Sequence, residues 1–294
     1  MENRIVKFFA CMNDSMKQIL SILIILLFFS LLGSHPLLAE DGPPDHSELA
    51  GTLLISGNGP EQHLIASLGE AFEEIHPLAS VDVFWHENAK PIRMLELKET
   101  HIGVTGQVSP HLRSTVVARD GIAIVTNFSN PVSEMSVQQL ADVFSGHTRF
   151  WSQVYEEAPE MKITLINRSD NQNIRQGFLE VLGIKRIARS AKVIAQERHA
   201  INAVTGDLAA IAFVSITPAL RAKEDGVAIN LVFVDKVEPE YQTVLDKTYP
   251  VQRPIVFHTD TNPMPLTLAF EQFTLSPEGQ RIIKMNKYYP LATE

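Results

Sequence analysis

The sequence predicts an α/β fold with mainly parallel sheets flanked by helices. Short apolar runs rich in β-branched residues alternate with segments in which apolar residues recur every three or four positions. Hydrophobic residues make up 45% of the chain and charged residues 20%, which is typical of a folded globular protein. A length of 294 residues allows one or two domains with a sizeable core.

Eight apolar runs have the length and composition of strands. They are 52–56, 80–85, 102–106, 122–127, 162–167, 210–216, 229–234 and 254–259. Four helices are predicted from apolar spacing between them, at 64–75, 92–97, 136–146 and 174–182. In the third helix, Ser136 and Gln139 form a capping-box pattern and Gly146 supplies an end signal.

The N-terminal region predicts export. An apolar run at 19–32 follows Lys17 and precedes a small residue at Ala39, as in a secretory signal. We expect residues 1–39 to be a signal peptide cleaved near Ala39 and residues 40–48 to be a flexible lead-in, with Met1 or Met16 as the start. An uncleaved anchor is the alternative. The only cysteine, Cys11, lies upstream of the apolar run, so the exported chain would hold no disulfide.

Charge and motif content exclude several functions. The net charge of -9 argues against nucleic-acid binding. The sequence has no HExxH, GxSxG, P-loop or GxGxxG motif, so we predict neither an enzyme nor a cofactor. A metal-binding protein or an enzyme is the less favoured alternative, and it would use His63, His86 and His101 if their loops met in one cleft.

Two junctions between a strand and a helix are candidate anion sites. The segment SGNGP at 56–60 ends the first strand, and free N–H groups at the following helix start would favour an anion. Arg168 follows the strand at 162–167 and precedes a polar helix start at 169–173. A guanidinium there suits a carboxylate or phosphate, and the alternative is a surface arginine beside a capping residue.

Several longer blocks resemble the phosphate-type periplasmic solute-binding proteins of ABC importers. LAFEQFTLSPEGQRIIKMNKYYPL at 268–291 is similar to their closing helix, and 116–154, with NPVS, QQL, FSG and Trp151, is similar to their central segment. The blocks INR, AAIAFVSI and YPVQRPIVF follow in the expected order at 166–168, 209–216 and 249–257. The likeness covers essentially all of 50–294.

This resemblance implies a two-lobed periplasmic-binding-protein (Venus-flytrap) fold with the ligand between the lobes. Residues 49–120 plus 229–294 would form lobe I, and residues 121–228 would form lobe II. The chain would cross near Ala118–Ala123 and near Lys223–Leu231.

The resemblance also implies a ligand set from the turns after the first and third strands and from the arginine turn. These residues are Ser56, Gly57, Asn58, Gly59, Thr105, Arg168, Asn171, Gln172, Asn173 and Arg175. The family's Gly-Ser-Gly-Thr-Arg turn is replaced here by 171–175, in which two glycines have gained side chains. The amides suit an oxyanion or a larger ligand with mixed donors and acceptors.

The implied function is that of a periplasmic protein. It would clamp a small anion, phosphate or another oxyanion, and deliver it to the membrane permease of an ABC importer. The alternative is a ligand sensor or interaction module of the same fold that acts on a membrane partner.

Overall fold

The computed structural model describes residues 49–170 and 172–291. The predicted signal peptide, the lead-in at 40–48 and Asn171 lie outside the described residues. Within those two ranges no helix combines the length and apolar character needed to cross a membrane.

Most of the strands form one mixed sheet. The strands are β1 Gly51–Gly57, β2 Ala79–Trp85, β3 Ile102–Thr105, β4 Arg113–Asn127, β5 Glu134–Met135, β6 Thr164–Asn167, β7 Lys192–Val193, β8 Ala210–Ser215, β9 Ile229–Leu231, β10 Phe233–Val234 and β11 Gln252–Thr259. The sheet order is β2-β1-β3-β11-β4-β8-β6-β7, β9 also pairs with β4, and β5 pairs with β10 separately.

Parallel and antiparallel pairings both contribute to the sheet. β1 is parallel to β2 and β3, and β6 is parallel to β7 and β8. β11 is antiparallel to β3 and β4, and β4 is antiparallel to β8 and β9. The predicted α/β class is therefore confirmed, with antiparallel strands at the centre of the sheet.

Helices pack beside these strands. They are α1 Gln62–Ile75, α2 Pro91–Glu96, α3 Val137–Ser145, α4 Asn173–Leu182, α5 Glu197–Thr205, α6 Ile216–Glu224, α7 Tyr241–Leu245, α8 Pro265–Leu275 and α9 Pro277–Met285. The predicted ends of α3 are confirmed. Ser136 and Gln139 exchange the two hydrogen bonds of a capping box, and Gly146 ends the helix with a left-handed φ of 86°.

Two sequence-based boundaries are corrected. The predicted strand at 122–127 begins at Arg113, because 113–121 pairs along β11. The closing helix is two helices separated at Ser276, whose hydroxyl accepts from the backbone nitrogen of Gly279 at 3.2 Å and caps α9.

Buried apolar side chains form two clusters. The N/C cluster draws its buried members from residues 53–118 and 255–288. The middle cluster draws its members from residues 122–251, with Tyr289 added. Strand β4 passes from one cluster to the other, since Ala118 belongs to the first and Ile122 to the second.

The membership of the two apolar clusters can be compared with the predicted lobes, but it does not test the lobe boundaries. Ile229, Leu231 and Val251 pack in the middle cluster, whereas the sequence assigns them to lobe I. The lobe boundaries therefore stay a prediction.

Candidate functional site

The turn after β1 carries Asn58 and Gly59 towards α1. Asn58 is buried, and its Nδ2 donates to the carbonyl oxygen of Ala89 at 2.9 Å. The indole nitrogen of Trp85 donates to the carbonyl oxygen of Gly59 at 2.8 Å, and its ring fills the space that a Cβ on Gly57 would need. Contacts to β2 and to the segment that follows it therefore fix this turn.

The start of α4 lies directly against the same turn. The backbone nitrogen of Asn173 donates to Oδ1 of Asn58 at 3.1 Å, and Nδ2 of Asn173 donates to the carboxylate of Glu61. A Cβ on Gly59 would overlap the Asn173 side chain, so the close approach requires glycine. The structure thus brings together Asn58, Gly59 and Asn173, and it adds Glu61, which precedes α1.

Arg168 follows β6, as predicted, and only 2% of it is exposed. Its Nη2 donates to the carbonyl oxygen of Ala195 at 2.6 Å and lies 3.0 Å from Oε1 of Glu197. Its Nε donates to Oε1 of Gln172 at 3.2 Å, and Nε2 of Gln172 donates to Ala195 at 2.8 Å. These contacts fix the guanidinium, which is a buried group and not a surface arginine.

A second buried arginine, Arg253 of β11, holds two carboxylates. Its Nη2 lies 2.8 Å from Oε2 of Glu61 and 2.9 Å from Oδ2 of Asp120, the residue opposite it on β4. The other Asp120 oxygen accepts from the hydroxyl of Ser215 at 2.9 Å, and the Ser215 nitrogen donates to Oε2 of Glu197 at 3.1 Å. Because Glu197 contacts Arg168, one continuous network joins both arginines; we call it the buried charge network.

Burial changes the proton affinities of this network. It raises the pKa of Asp120 to about 6, although Arg253 opposes the shift. Burial likewise raises the pKa of Glu197, against the effect of Arg168. Burial alone would lower the pKa of Arg253, but the Glu61 and Asp120 carboxylates outweigh it and raise that pKa above its usual value. The network therefore combines charged arginines with two carboxyl groups, Asp120 and Glu197, whose pKa burial raises.

A cavity of about 520 Å³ opens beside these groups. Its lining includes Asn58, Gly59, Trp85, Arg168, Gln172 and Glu197. A neighbouring cavity of about 260 Å³ is lined in part by Asn58, Thr105 and Gln176. We refer to the larger cavity as the cleft.

Several buried polar atoms in this region have no hydrogen-bond partner within 49–170 and 172–291. They are Oγ of Ser56, Nη1 of Arg168, Oδ1 of Asn173, Nε of Arg175, Oε1 of Glu197 and Nη1 of Arg253, of which the Glu197 oxygen has only its ion-pair contact with Arg168. Such atoms are rare in folded proteins because each one forgoes its bonds to water. Four of the six, all except the Asn173 and Glu197 oxygens, can donate, so the region suits a group that brings acceptors.

Two predicted residues make contacts away from Arg168. The hydroxyl of Thr105 lies 2.7 Å from Nε2 of His258 and donates to the carbonyl oxygen of Gln107 at 2.9 Å. Arg175 pairs with the exposed carboxylate of Asp170 at 3.1 Å. Neither of these two residues lines the cleft, although Thr105 lines the smaller cavity.

Sequence reasoning missed four members of the buried charge network: Glu61, Asp120, Glu197 and Arg253. A usable signal existed for two of them. Asp120 and Arg253 are charged residues within two positions of the apolar runs predicted as strands at 122–127 and 254–259, and a charge that a sheet buries needs a partner. Glu61 and Glu197 stand at helix starts, where acidic residues are ordinary and carry no such signal.

The histidines considered as metal ligands have separate local contacts. Nδ1 of His101 accepts from the backbone nitrogen of Leu54 at 2.9 Å, and Nδ1 of His86 accepts from that of Asn88 at 3.1 Å. His63 is exposed on α1. Across the part of the chain that the structure describes, no three His, Cys, Asp or Glu residues are placed to hold a metal ion.

Comparison with known proteins gives one family and several relatives. The family described as the PBP superfamily domain matches residues 42–278. Phosphate-binding protein PstS 2 of Streptococcus pneumoniae is 32% identical over 111 residues, which cover 36% of this chain and 38% of that protein. Phosphate-binding protein PstS of Bacillus subtilis is 22% identical over 264 residues, covering 87% of this chain and 85% of the relative.

A solved structure has the same fold. The ABC-type phosphate transport receptor from Vibrio cholerae superposes with a TM-score of 0.72 at 22% identity, covering 82% of this chain and 100% of the receptor. At this identity the likeness concerns the fold alone.

Proposed function

The chain belongs to the PBP superfamily, and we propose that it binds a small oxyanion, phosphate or a chemically similar ion, in the cleft beside Arg168. One observation carries the proposal: Nη1 of Arg168, a residue that lines the cleft, is a buried donor without a hydrogen-bond partner among the described residues. An oxyanion would supply the acceptor that this nitrogen lacks, and charge-assisted bonds of this kind are among the stronger ones in proteins. The names of the phosphate-binding relatives support the same ligand class.

The charges around the cleft narrow the ligand class. Arg168 and Arg253 already face the carboxylates of Glu61, Asp120 and Glu197, so the two positive charges are largely neutralised. An incoming anion would favour protonation of the carboxylates whose pKa burial has raised. We therefore propose that oxyanion binding is accompanied by proton uptake, and that a singly charged anion binds more readily than a doubly charged one.

We propose that ligand binding closes two lobes, assigned from the sequence as 49–120 plus 229–294 and 121–228. Contacts between Asn58 and Asn173 support such closure, because they join the segment before α1 to the start of α4. The passage of β4 between the two clusters supports a hinge within that strand.

We also propose that the protein acts outside the cytoplasmic membrane and presents its closed form to a membrane permease. The predicted signal at 1–39 supports export, and phosphate transport by the Vibrio cholerae receptor supports an importer as partner. N-terminal sequencing of envelope material should begin near Glu40, and an intact 19–32 segment would contradict cleavage.

Calorimetric titration with inorganic phosphate and with sulfate tests the ligand proposal. The Arg168→Lys variant keeps the positive charge but loses the planar guanidinium with its paired N–H donors. We therefore expect its affinity for the bound anion to fall by roughly tenfold. Arg221→Lys is the matched control, because that side chain is 82% exposed and lies on α6. Absence of binding heat with both anions, or equal affinity in Arg168→Lys and the control, would overturn the proposal.

A further inference from the structure

A second concave site lies at the opposite end of β6 from the cleft. This basic pocket has a volume of about 430 Å³, and its cations are Arg149, Lys162, Arg186 and Arg189. Lys162 precedes β6, whereas Arg168 follows it, and the basic pocket shares no lining residue with the cleft. The two sites are therefore separate.

The charge of the basic pocket is unbalanced. None of its lining residues is acidic, although the chain as a whole has a net charge of -9. The side chains of Lys162, Arg186 and Arg189 have no ion-pair or hydrogen-bond partner among the residues that the structure describes. One hydrogen bond orients the side chain of Arg149, whose Nε donates to the carbonyl oxygen of Gly146 at 3.3 Å. Four cations around one cavity repel each other, and a bound anion would remove that repulsion.

The shape and lining indicate the kind of anion. Planar guanidinium groups pair with phosphate oxygens in a two-pronged geometry, and the hydroxyls of Thr148 and Ser190 in the lining add further donors. The volume falls in the range of small-molecule sites. Ile163 and Leu165, both almost buried, supply an apolar part.

We propose that the basic pocket binds a phosphate-bearing ligand with at least two negative charges. Such a ligand places its charged groups among the arginines and any carbon skeleton on Ile163 and Leu165. The same chemistry is offered by a soluble compound and by the headgroup of an anionic phospholipid, so the experiment has an arm for each. This inference does not depend on the ligand proposed for the cleft.

Titration with pyrophosphate and with glucose 6-phosphate forms the soluble arm. Sedimentation with phosphatidylcholine vesicles that contain cardiolipin, whose headgroup carries two phosphates, against vesicles of phosphatidylcholine alone, forms the lipid arm. The variant Arg186→Ala/Arg189→Ala should weaken binding in the responding arm at least tenfold. Both side chains are exposed, so an unchanged melting temperature should accompany this loss. Arg221→Ala is the control for loss of an exposed arginine elsewhere.

The Arg168→Lys variant separates this inference from the proposed function. Binding that survives Arg168→Lys and is lost in Arg186→Ala/Arg189→Ala supports the basic pocket, whichever arm responds. Binding lost in Arg168→Lys alone belongs to the cleft and overturns the inference. Absence of binding in both arms, or binding that the double variant leaves unchanged, also overturns it.

Discussion

Replacing Gly106 by alanine tests whether the segment after β3 and the start of α4 can separate. A Cβ at Gly106 would lie 2.5 Å from the carbonyl oxygen of Asn173 and 3.4 Å from Nη1 of Arg253. The first atom belongs to the backbone and cannot rotate away. The two segments must therefore move apart by roughly 1 Å to restore an ordinary contact distance.

Overpacking of this kind costs roughly 1–3 kcal/mol. If the segments belong to lobes that open and close, only the closed form bears the cost. Phosphate affinity should then fall by roughly 5- to 150-fold while the melting temperature changes little. If the segments cannot separate, the folded state bears the cost and the melting temperature should fall by several degrees.

Calorimetric titration with inorganic phosphate and thermal unfolding distinguish these outcomes. Gly206→Ala is the matched control, because its nearest atom would be 3.8 Å away and its φ is −88°. We expect the Gly106→Ala variant to lose affinity and the control to lose none. A Gly106→Ala variant that binds and unfolds like the original protein would refute the close approach, and a loss of stability alone would refute the opening motion.

Three further predictions concern buried groups. Burial raises the pKa of Asp120 to about 6, so the folded state binds a proton at this carboxyl more tightly than the unfolded state does. The stabilisation of the fold by this proton is complete below the unfolded-state pKa near 3.9 and is lost as pH rises through 6. Between pH 4 and 7, the free energy of unfolding measured in urea should therefore fall by up to about 3 kcal/mol more in the original protein than in Asp120→Asn; parallel pH profiles would contradict this. Arg253→Met leaves the carboxylates of Glu61 and Asp120 buried without their cation. Denaturant titration should therefore show a decrease of about 3–5 kcal/mol in the free energy of unfolding. A smaller decrease than in Ser276→Ala would contradict the pairing. Ser276→Ala removes the side-chain cap of α9 and should cost about 1 kcal/mol in the same assay. Ser129→Ala at an exposed position is the control, and an equal cost in both variants would contradict the capping role.

Local signals in the sequence account for most of the correct fold predictions. The ends of α3 were predictable because Ser136, Gln139 and Gly146 interact within one helix. The break at Ser276 was also signalled locally, by a capping hydroxyl followed by Pro277, but it lay inside a block interpreted as one helix. The first half of β4 has no alternating apolar pattern, and it pairs with β11, which lies over a hundred positions later in the chain.

The same distinction between local and long-range interactions applies to the candidate site. The turn at Asn58 and the position of Arg168 followed from strand ends and Gly-rich punctuation, which are local. The partners of Arg253 are distant along the chain, since Glu61 is separated from it by 192 positions and Asp120 by 133. No spacing rule relates such positions, so the buried charge network required the three-dimensional structure.

The division of the core into a contiguous and a discontinuous cluster has a consequence for biosynthesis. The middle cluster consists almost wholly of residues 122–251, so it can assemble as soon as that stretch of chain is available. The N/C cluster needs residues 255–288, which the ribosome makes after the middle cluster, to cover apolar side chains that are made before it. We expect the segment 53–118 to remain more exposed to proteases and chaperones during synthesis than the middle cluster, and α8 and α9 to complete its folding.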